Sequence, residues 1–200
     1  IDIPDEILKE YNKVETVSNM GIFSEISRAW VTIDNKLILW NLKKTLEFQT
    51  FEDIQNTILK IELVKPKPKT FTESINYLLL ISTPFDIHIL GVAYSSKTND
   101  LELYNTGMVV STHGLSVDQF ISFENTGQIF FTGSGDGLHI WELQYSNSED
   151  WLNKKCNKRC LTRSAVSSLV PGSSIINSIA NYFAEDESSS NETVIQLSVD

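Results

Sequence analysis

The sequence predicts an all-β protein, a β-propeller fragment of about three blades plus the first strand of a fourth, with one long loop insert. Three observations carry that prediction. A strand–turn–strand hairpin ending in an aromatic residue recurs along the chain. Strands arrive roughly every 8–15 residues, separated by turn signals. They group in sets of about four, the rhythm of blades that run at about 40–50 residues each. A β-sandwich also gives regular short strands, but not hairpins repeated with an aromatic at a matching place.

The elements follow in order. Residues 1–20 are an amino-terminal lead-in, in which Pro4–Tyr11 reads as a short helix with Asp2 or Asp5 near its start. The partial propeller fills 21–200. Blade 1, about 21–56, carries the clearest hairpin: Ala29-Trp30-Val31-Thr32-Ile33 turns through Asp34-Asn35 into Lys36-Leu37-Ile38-Leu39-Trp40. Asp and Asn tolerate the positive φ of tight turns. Leu37 and Leu39 alternate with the period of a half-buried strand. Blade 2, about 57–111, has strands at Thr57–Val64 and Tyr77–Thr83 around Lys65-Pro66-Lys67-Pro68-Lys69, whose prolines bar it from a central strand. Ile87–Ser95 and Asp100–Tyr104 then repeat the hairpin in a looser form, with Tyr104 in the place of the tryptophans, and Met108–Ser111 adds a further strand. Blade 3, about 112–163, follows His113-Gly114 with Val117–Phe123. Its hairpin runs Ile129–Thr132, through Asp136-Gly137, to Leu138–Trp141. The basic stretch Lys155–Arg163 reads as its outer strand. An insert, 164–191, separates it from the start of blade 4, 192–200. The hairpins make the blades WD40-like. An array of this size does not close a ring, so it is expected to be part of a larger propeller or to be completed by a partner segment.

Composition narrows the function. Hydrophobic residues at 41% and charged residues at 21% suit a globular chain with a core. Sixteen Lys+Arg against 26 Asp+Glu leave a net charge of −10. That balance repels phosphate backbones and argues against direct nucleic-acid binding. Cys156 and Cys160 make neither a zinc set nor a disulfide framework and are expected to be reduced thiols. His88, His113 and His139 show no ligand spacing. Gly133-Ser134-Gly135-Asp136-Gly137 lies between strands and opens no helix, so it reads as a hairpin turn and not as a phosphate loop. The Gly-x-Ser-x-Gly of a nucleophile elbow is absent. Asp118, Asp136 and Glu142 are dispersed, with nothing to pair them as acid and base. The expectation is no enzyme, no catalytic residue, no cofactor and no metal. Ile1–Glu10, charged and holding Pro4, is not a signal peptide. No stretch reaches the roughly 18–20 apolar residues of a spanning helix.

The insert is the informative segment. From Ser164 to Ala184 no residue is charged, and Glu185-Asp186-Glu187 and a Ser/Asn run end it. Pro171-Gly172 breaks any helix arriving from Ser164, so a helix is expected to start near Ser173 or Ser174, either of which can cap it. At about 100° per residue, Ile175, Ile176, Ile179, Tyr182 and Phe183 fall within an arc of about 120°, while Ser174, Asn177, Ser178 and Asn181 take the other side. Two roles fit such a face. It packs on the propeller or serves as a docking element, or it lies in a bilayer interface. In the second case it rests on apolar contact alone, because its polar side has no Lys or Arg.

The segment Met20-Gly21-Ile22-Phe23-Ser24-Glu25-Ile26-Ser27-Arg28-Ala29-Trp30 through Trp40-Asn41 closely resembles the opening blade of the large non-FG inner-ring nucleoporins. Leu63-Val64-Lys65-Pro66-Lys67, Ser82-Thr83-Pro84-Phe85-Asp86-Ile87-His88-Ile89-Leu90-Gly91, Gly127-Gln128-Ile129-Phe130-Phe131, Ser167-Ser168-Leu169-Val170-Pro171 and Gln196-Leu197-Ser198-Val199-Asp200 look like later landmarks of the same family. The resemblance implies an amino-terminal seven-bladed propeller followed by an α-solenoid, acting as a structural part of the nuclear pore's inner ring. It implies linker and membrane-anchoring nucleoporins as partners, and peripheral contact with curved nuclear-envelope membrane. The family's amphipathic membrane loop lies between the third and fourth blades, which makes Leu169, Val170, Ile175, Ile176, Ile179, Tyr182 and Phe183 the membrane-contact candidates. The acidic run after Phe183 departs from what anionic lipid favours.

Overall fold

The computed structural model describes residues 3–44, 47–134, 139–146 and 156–162. Helix α1 (Asp5–Tyr11) precedes three sheets. The first holds β1 (Ser18–Phe23), β2 (Arg28–Ile33), β3 (Lys36–Asn41) and β4 (Phe48–Phe51). The second holds β5 (Lys60–Val64), β6 (Tyr77–Ser82), β7 (Asp86–Tyr94) and β8 (Leu101–Ser111). The third holds β9 (Ser116–Phe123), β10 (Gln128–Ser134), β11 (His139–Tyr145) and β12 (Cys156–Cys160). Each is a four-stranded antiparallel meander in chain order. Inner strands β5 and β9 touch, and so do outer strands β8 and β12. Four-stranded sheets stacked face to face in this way are propeller blades.

The seams are where the sequence alternation goes. Leu79, Ile81, Leu90 and Val92 of the second sheet pack on Phe23, Leu37 and Leu39 of the first. Leu78, Leu80, Ile87 and Ile89, on its other face, pack on Phe120, Ile129, Phe131 and Leu143 of the third. The second sheet is therefore apolar on both faces, as a blade between two blades must be. The outward face of the first sheet carries Ala29, Val31, Ile33, Ile38 and Trp40, with Ile7 of α1 lying on it. Met20 and Ile22 stand exposed at 56% and 64%. They pair with Val31 and Ala29, so they share that outward face.

Local chemistry explains the boundaries. Asp34, at φ 52°, makes the β2–β3 turn. Its carboxylate also accepts hydrogen bonds from the backbone N–H groups of Glu15, Thr16 and Val17, which ties the lead-in to the sheet. That cluster of donors, with the Thr16 hydroxyl as the largest contributor, lowers the Asp34 pKa to about 2. In β8, Thr106 and Gly107 form a bulge between the pairs Ile89–Met108 and Leu90–Asn105, so Leu101–Tyr104 and Met108–Ser111 are one strand and not two. In β9, Asp118 is skipped between Gln119, opposite Thr132, and Val117, opposite Gly133.

One expectation is corrected. Tyr104 does not take the tryptophans' place. It lies on outer strand β8 opposite Gly91 and is 45% exposed. The central hairpin of the second sheet is β6–β7, and the two tryptophans themselves differ in register. Trp40 pairs with Ala29 and joins the outward cluster, whereas Trp141 pairs with Phe131 and packs on the seam with the second sheet. The turn Asp136-Gly137, the insert 164–191 and the strand 192–200 lie outside the described residues.

Candidate docking surface

The membrane-contact candidates Leu169, Val170, Ile175, Ile176, Ile179, Tyr182 and Phe183 all lie outside the described residues. Among the described residues, no group of three His, Cys, Asp or Glu is placed to hold a metal ion, and no helix is long and apolar enough to cross a membrane. Burial pushes the Cys156 thiol up to about 12, which keeps it protonated and unreactive. The structure instead concentrates its specific geometry at the two seams and in one cleft.

At the first seam, Arg28 is 4% exposed. It donates to the carbonyl of Ile26 (3.3 Å), to Oδ1 of Asn99 (3.3 Å) and to the carbonyl of Asn99 (2.7 Å). Asn99, at φ 61°, donates in turn to Asn41 Oδ1 (2.8 Å) and accepts from the Tyr94 hydroxyl (2.9 Å). Desolvation lowers the Arg28 pKa, and the field of Glu47 partly opposes it. A buried cation satisfied by carbonyl and amide oxygens fixes how the two sheets meet, because any slip leaves it unpaired.

At the second seam, two of the sequence landmarks meet. The Lys65–Lys69 loop crosses to Gly127, and the Tyr145 hydroxyl joins them: it accepts from the Lys67 N–H (2.8 Å) and donates to the Gly127 carbonyl (2.7 Å). Lys67 Nζ stands 4.8 Å from the Tyr145 ring centre. A Cβ on Gly127 would sit 2.3 Å from the Lys67 nitrogen, and its φ is 65°.

Outward of this lock, the second and third sheets part around a cleft of about 900 Å³. Val110, Leu115, Trp141 and Cys156 line it, with Val109 at the edge, 46% exposed. Lys158 Nζ stands 4.7 Å from the Trp141 ring centre and donates to the Thr112 carbonyl. Beside the cleft, the β6–β7 turn presents Phe85, 62% exposed. The turn is held by Thr83 Oγ1, which accepts from the Phe85 and Asp86 N–H groups (3.1 Å each), and by Thr112, whose N–H and hydroxyl donate to the carbonyls of Phe85 and Pro84. No local pattern in the sequence announces the cleft, since its walls come from strands about 45 residues apart.

Residues 1–200 match the family model described as Nup133 N terminal like. The chain is 44% identical over 209 residues to nucleoporin NUP170 of Saccharomyces cerevisiae, covering 100% of this chain and 14% of that protein. It is 34% identical over 171 residues to the nuclear pore complex protein Nup154 of Drosophila melanogaster, covering 84% of this chain and 12% of that protein. Among solved structures, the Chaetomium thermophilum Nup170 NTD in complex with Nup53 superposes with a TM-score of 0.71 at 33% identity, over 79% of this chain and 23% of that chain.

Proposed function

Because the chain belongs to the nucleoporins that carry a Nup133-like N-terminal domain, we propose that the protein is a structural scaffold of the nuclear pore's inner ring that supports pore assembly and nucleocytoplasmic transport. The observation that carries this reading is the 44% identity to NUP170 across the whole chain. The fold agrees with it. Buried Arg28, Asn99 and Tyr145 join neighbouring sheets. The reading places the protein at the nuclear envelope, with linker and membrane-anchoring nucleoporins as partners. The solved complex of the Chaetomium domain with Nup53 supports a nucleoporin partner. Tagged at its own locus, the complete protein is expected at the nuclear rim in a punctate pattern. A diffuse signal refutes the assignment.

Within this reading the segment 164–191 lays Leu169, Val170, Ile175, Ile176, Ile179, Tyr182 and Phe183 against curved membrane. The support is its amphipathic stretch Ser164–Ala184, in which no residue is charged. Flotation of the complete protein with small liposomes tests it: an Ile176→Asp, Phe183→Asp variant is expected to lose most of its recovery. Equal recovery of variant and native protein leaves the second reading, a propeller adaptor that contacts proteins only.

A further inference from the structure

We propose that α1 is a wedge within a blade seam. It lies between the first sheet and a further blade of the same chain, which rests on Leu8 and Tyr11 of the helix and on Met20 and Ile22 of β1.

The repeat argues first. Each later sheet turns an apolar pair of its innermost strand toward the blade before it. In the second sheet the pair is Ile61, 4% exposed, and Leu63, both packed in the seam with the first. In the third it is Val117 and Phe120, each 4% exposed and packed in the seam with the second. Met20 and Ile22 hold the same place in β1, opposite Val31 and Ala29, yet they are 56% and 64% exposed. A preceding blade covers the matching pairs, so a blade is the occupant that Met20 and Ile22 fit. The segments leading into the blades repeat as well. Ile54 and Ile58, between β4 and β5, are buried in the seam of the first and second sheets. Ile7 and Val14, ahead of β1, pack on the outward face of the first sheet in the same manner.

Apolar surface argues next. Among the described residues, six of the nine large apolar side chains that stand exposed belong to this side of the molecule. Ile3, Leu8 and Tyr11 lie on or beside α1, Met20 and Ile22 on β1, and Phe48 on β4 opposite Trp40, whose face it shares. Such a concentration marks a contact surface. Chain length argues for an occupant in cis. The matched region is 14% of NUP170, and a further blade needs only about 40–50 residues.

The helix is tied where a wedge belongs. Lys36 Nζ pairs with Glu10 of α1 at 3.1 Å and with Glu52 at 2.9 Å. Asp34 holds the N–H groups of Glu15, Thr16 and Val17. Ile7 packs against residues of β2 and β3, which leaves β1 bare beside the helix. Blades radiate from their innermost strands, so the gap between two of them widens outward. A blade in contact with β1 therefore leaves room for a helix over β2 and β3.

Hydroxyl-radical footprinting of the native complete protein tests the seam without any substitution. Met20 and Tyr11 are each compared with the same residue in its digested peptide, and both are expected to be protected at least 10-fold. Protection of only a few-fold at Met20, which its exposure of 56% gives by itself, overturns the covering blade. The same result at Tyr11 places α1 outside the seam and overturns the wedge. A photocrosslinker on Leu8→Cys identifies the occupant, in a mixture of isotopically heavy and light complete protein, with the crosslinks of the unsubstituted protein subtracted. It is expected to reach a strand-forming segment beyond residue 200 in the same copy. Crosslinks confined to residues 1–200, to a helical segment or between heavy and light copies overturn the proposal. The footprint decides the matter even where the variant fails to fold.

Discussion

Gly127→Ala is the sharpest test of how the sheets are locked. Two penalties meet at this residue. Its φ of 65° is left-handed, which costs an L-residue with a Cβ about 1–2 kcal/mol. The new Cβ would also lie 2.3 Å from the Lys67 nitrogen and 2.4 Å from its Cα. Those are backbone atoms, and the Tyr145 hydroxyl and ring hold that backbone in place, so the loop cannot simply swing away. Overpacking of this kind costs about 1–3 kcal/mol. Displacing the loop also breaks the Tyr145 bridge, for about 1 kcal/mol more. The expected loss is about 3–6 kcal/mol, a large part of the roughly 5–15 kcal/mol typical of a domain. Gly107→Ala is the built-in control. Its φ is 68°, but a Cβ there meets nothing within 4 Å, so it carries the backbone penalty alone, about 1–2 kcal/mol. The stiffening of the unfolded chain, about 0.4–1 kcal/mol, is common to both and cancels. Urea unfolding of the complete propeller, followed by tryptophan fluorescence, reads the difference. Equal midpoints for the two variants refute the claim that the Lys65–Lys69 loop is clamped against the third sheet.

Two further outcomes follow from the polar contacts. Asn99→Ala removes the side-chain acceptor of buried Arg28 and the donor to Asn41, and it leaves a non-glycine residue at φ 61° with no compensating bond. A loss of about 2–3 kcal/mol is expected, and Asn99→Gly should recover about 1 kcal/mol of it by relieving the backbone. Equal melting temperatures for the two variants would show that the backbone strain is unimportant. Asp34 is held at about 2, below its ordinary 3.8. Its contribution is therefore present above about pH 4 and lost as pH falls from there toward 2. Asp34→Asn should flatten that acid limb in a pH series of thermal melts and speed proteolysis near Val14–Val17. An unchanged acid limb would show that the carboxylate does not tie down the lead-in.

What the sequence made legible was local. Asp34-Asn35 between alternating Leu and Ile residues specified the β2–β3 hairpin, because turn chemistry and period sit within a dozen residues. Strands Tyr77–Thr83 and Ile87–Ser95 were legible, but not their pairing as the central hairpin, because the turn between them is shaped by the Thr83 hydroxyl and by Thr112, 29 residues away in sequence, and not by Gly or Asn. That concealment moved the apparent repeat one strand along, onto Tyr104. The bulge at Thr106-Gly107 added to it by interrupting an otherwise single strand. The seam residues were beyond local reading. Arg28 and Asn99 are 71 residues apart, and Lys67 and Tyr145 are 78 apart, so only the fold brings them together. The landmarks Leu63–Lys67 and Gly127–Phe131 were visible as resemblance, yet their physical reason, mutual contact across a seam, was not. The membrane-contact candidates, Leu169 to Phe183, rest on the sequence alone.

The contacts between sheets also bear on why such a chain suits a framework. Apolar faces alone tolerate sliding, because Leu, Ile and Val contacts are non-directional and a shifted sheet buries nearly as much area. Each seam here adds groups that tolerate no shift. Moving the first sheet against the second unpairs a buried guanidinium from Asn99, and leaving a buried charge unsatisfied costs more than the displaced area can offset. Moving the second against the third drives Lys67 into Gly127 or separates it from Tyr145. The polar groups thus act on the angle between blades more than on the stability of any one blade. Arg28, Asn99 and Tyr145 reach across to the neighbouring sheet, whereas Thr83 and Thr112 hold a turn within their own.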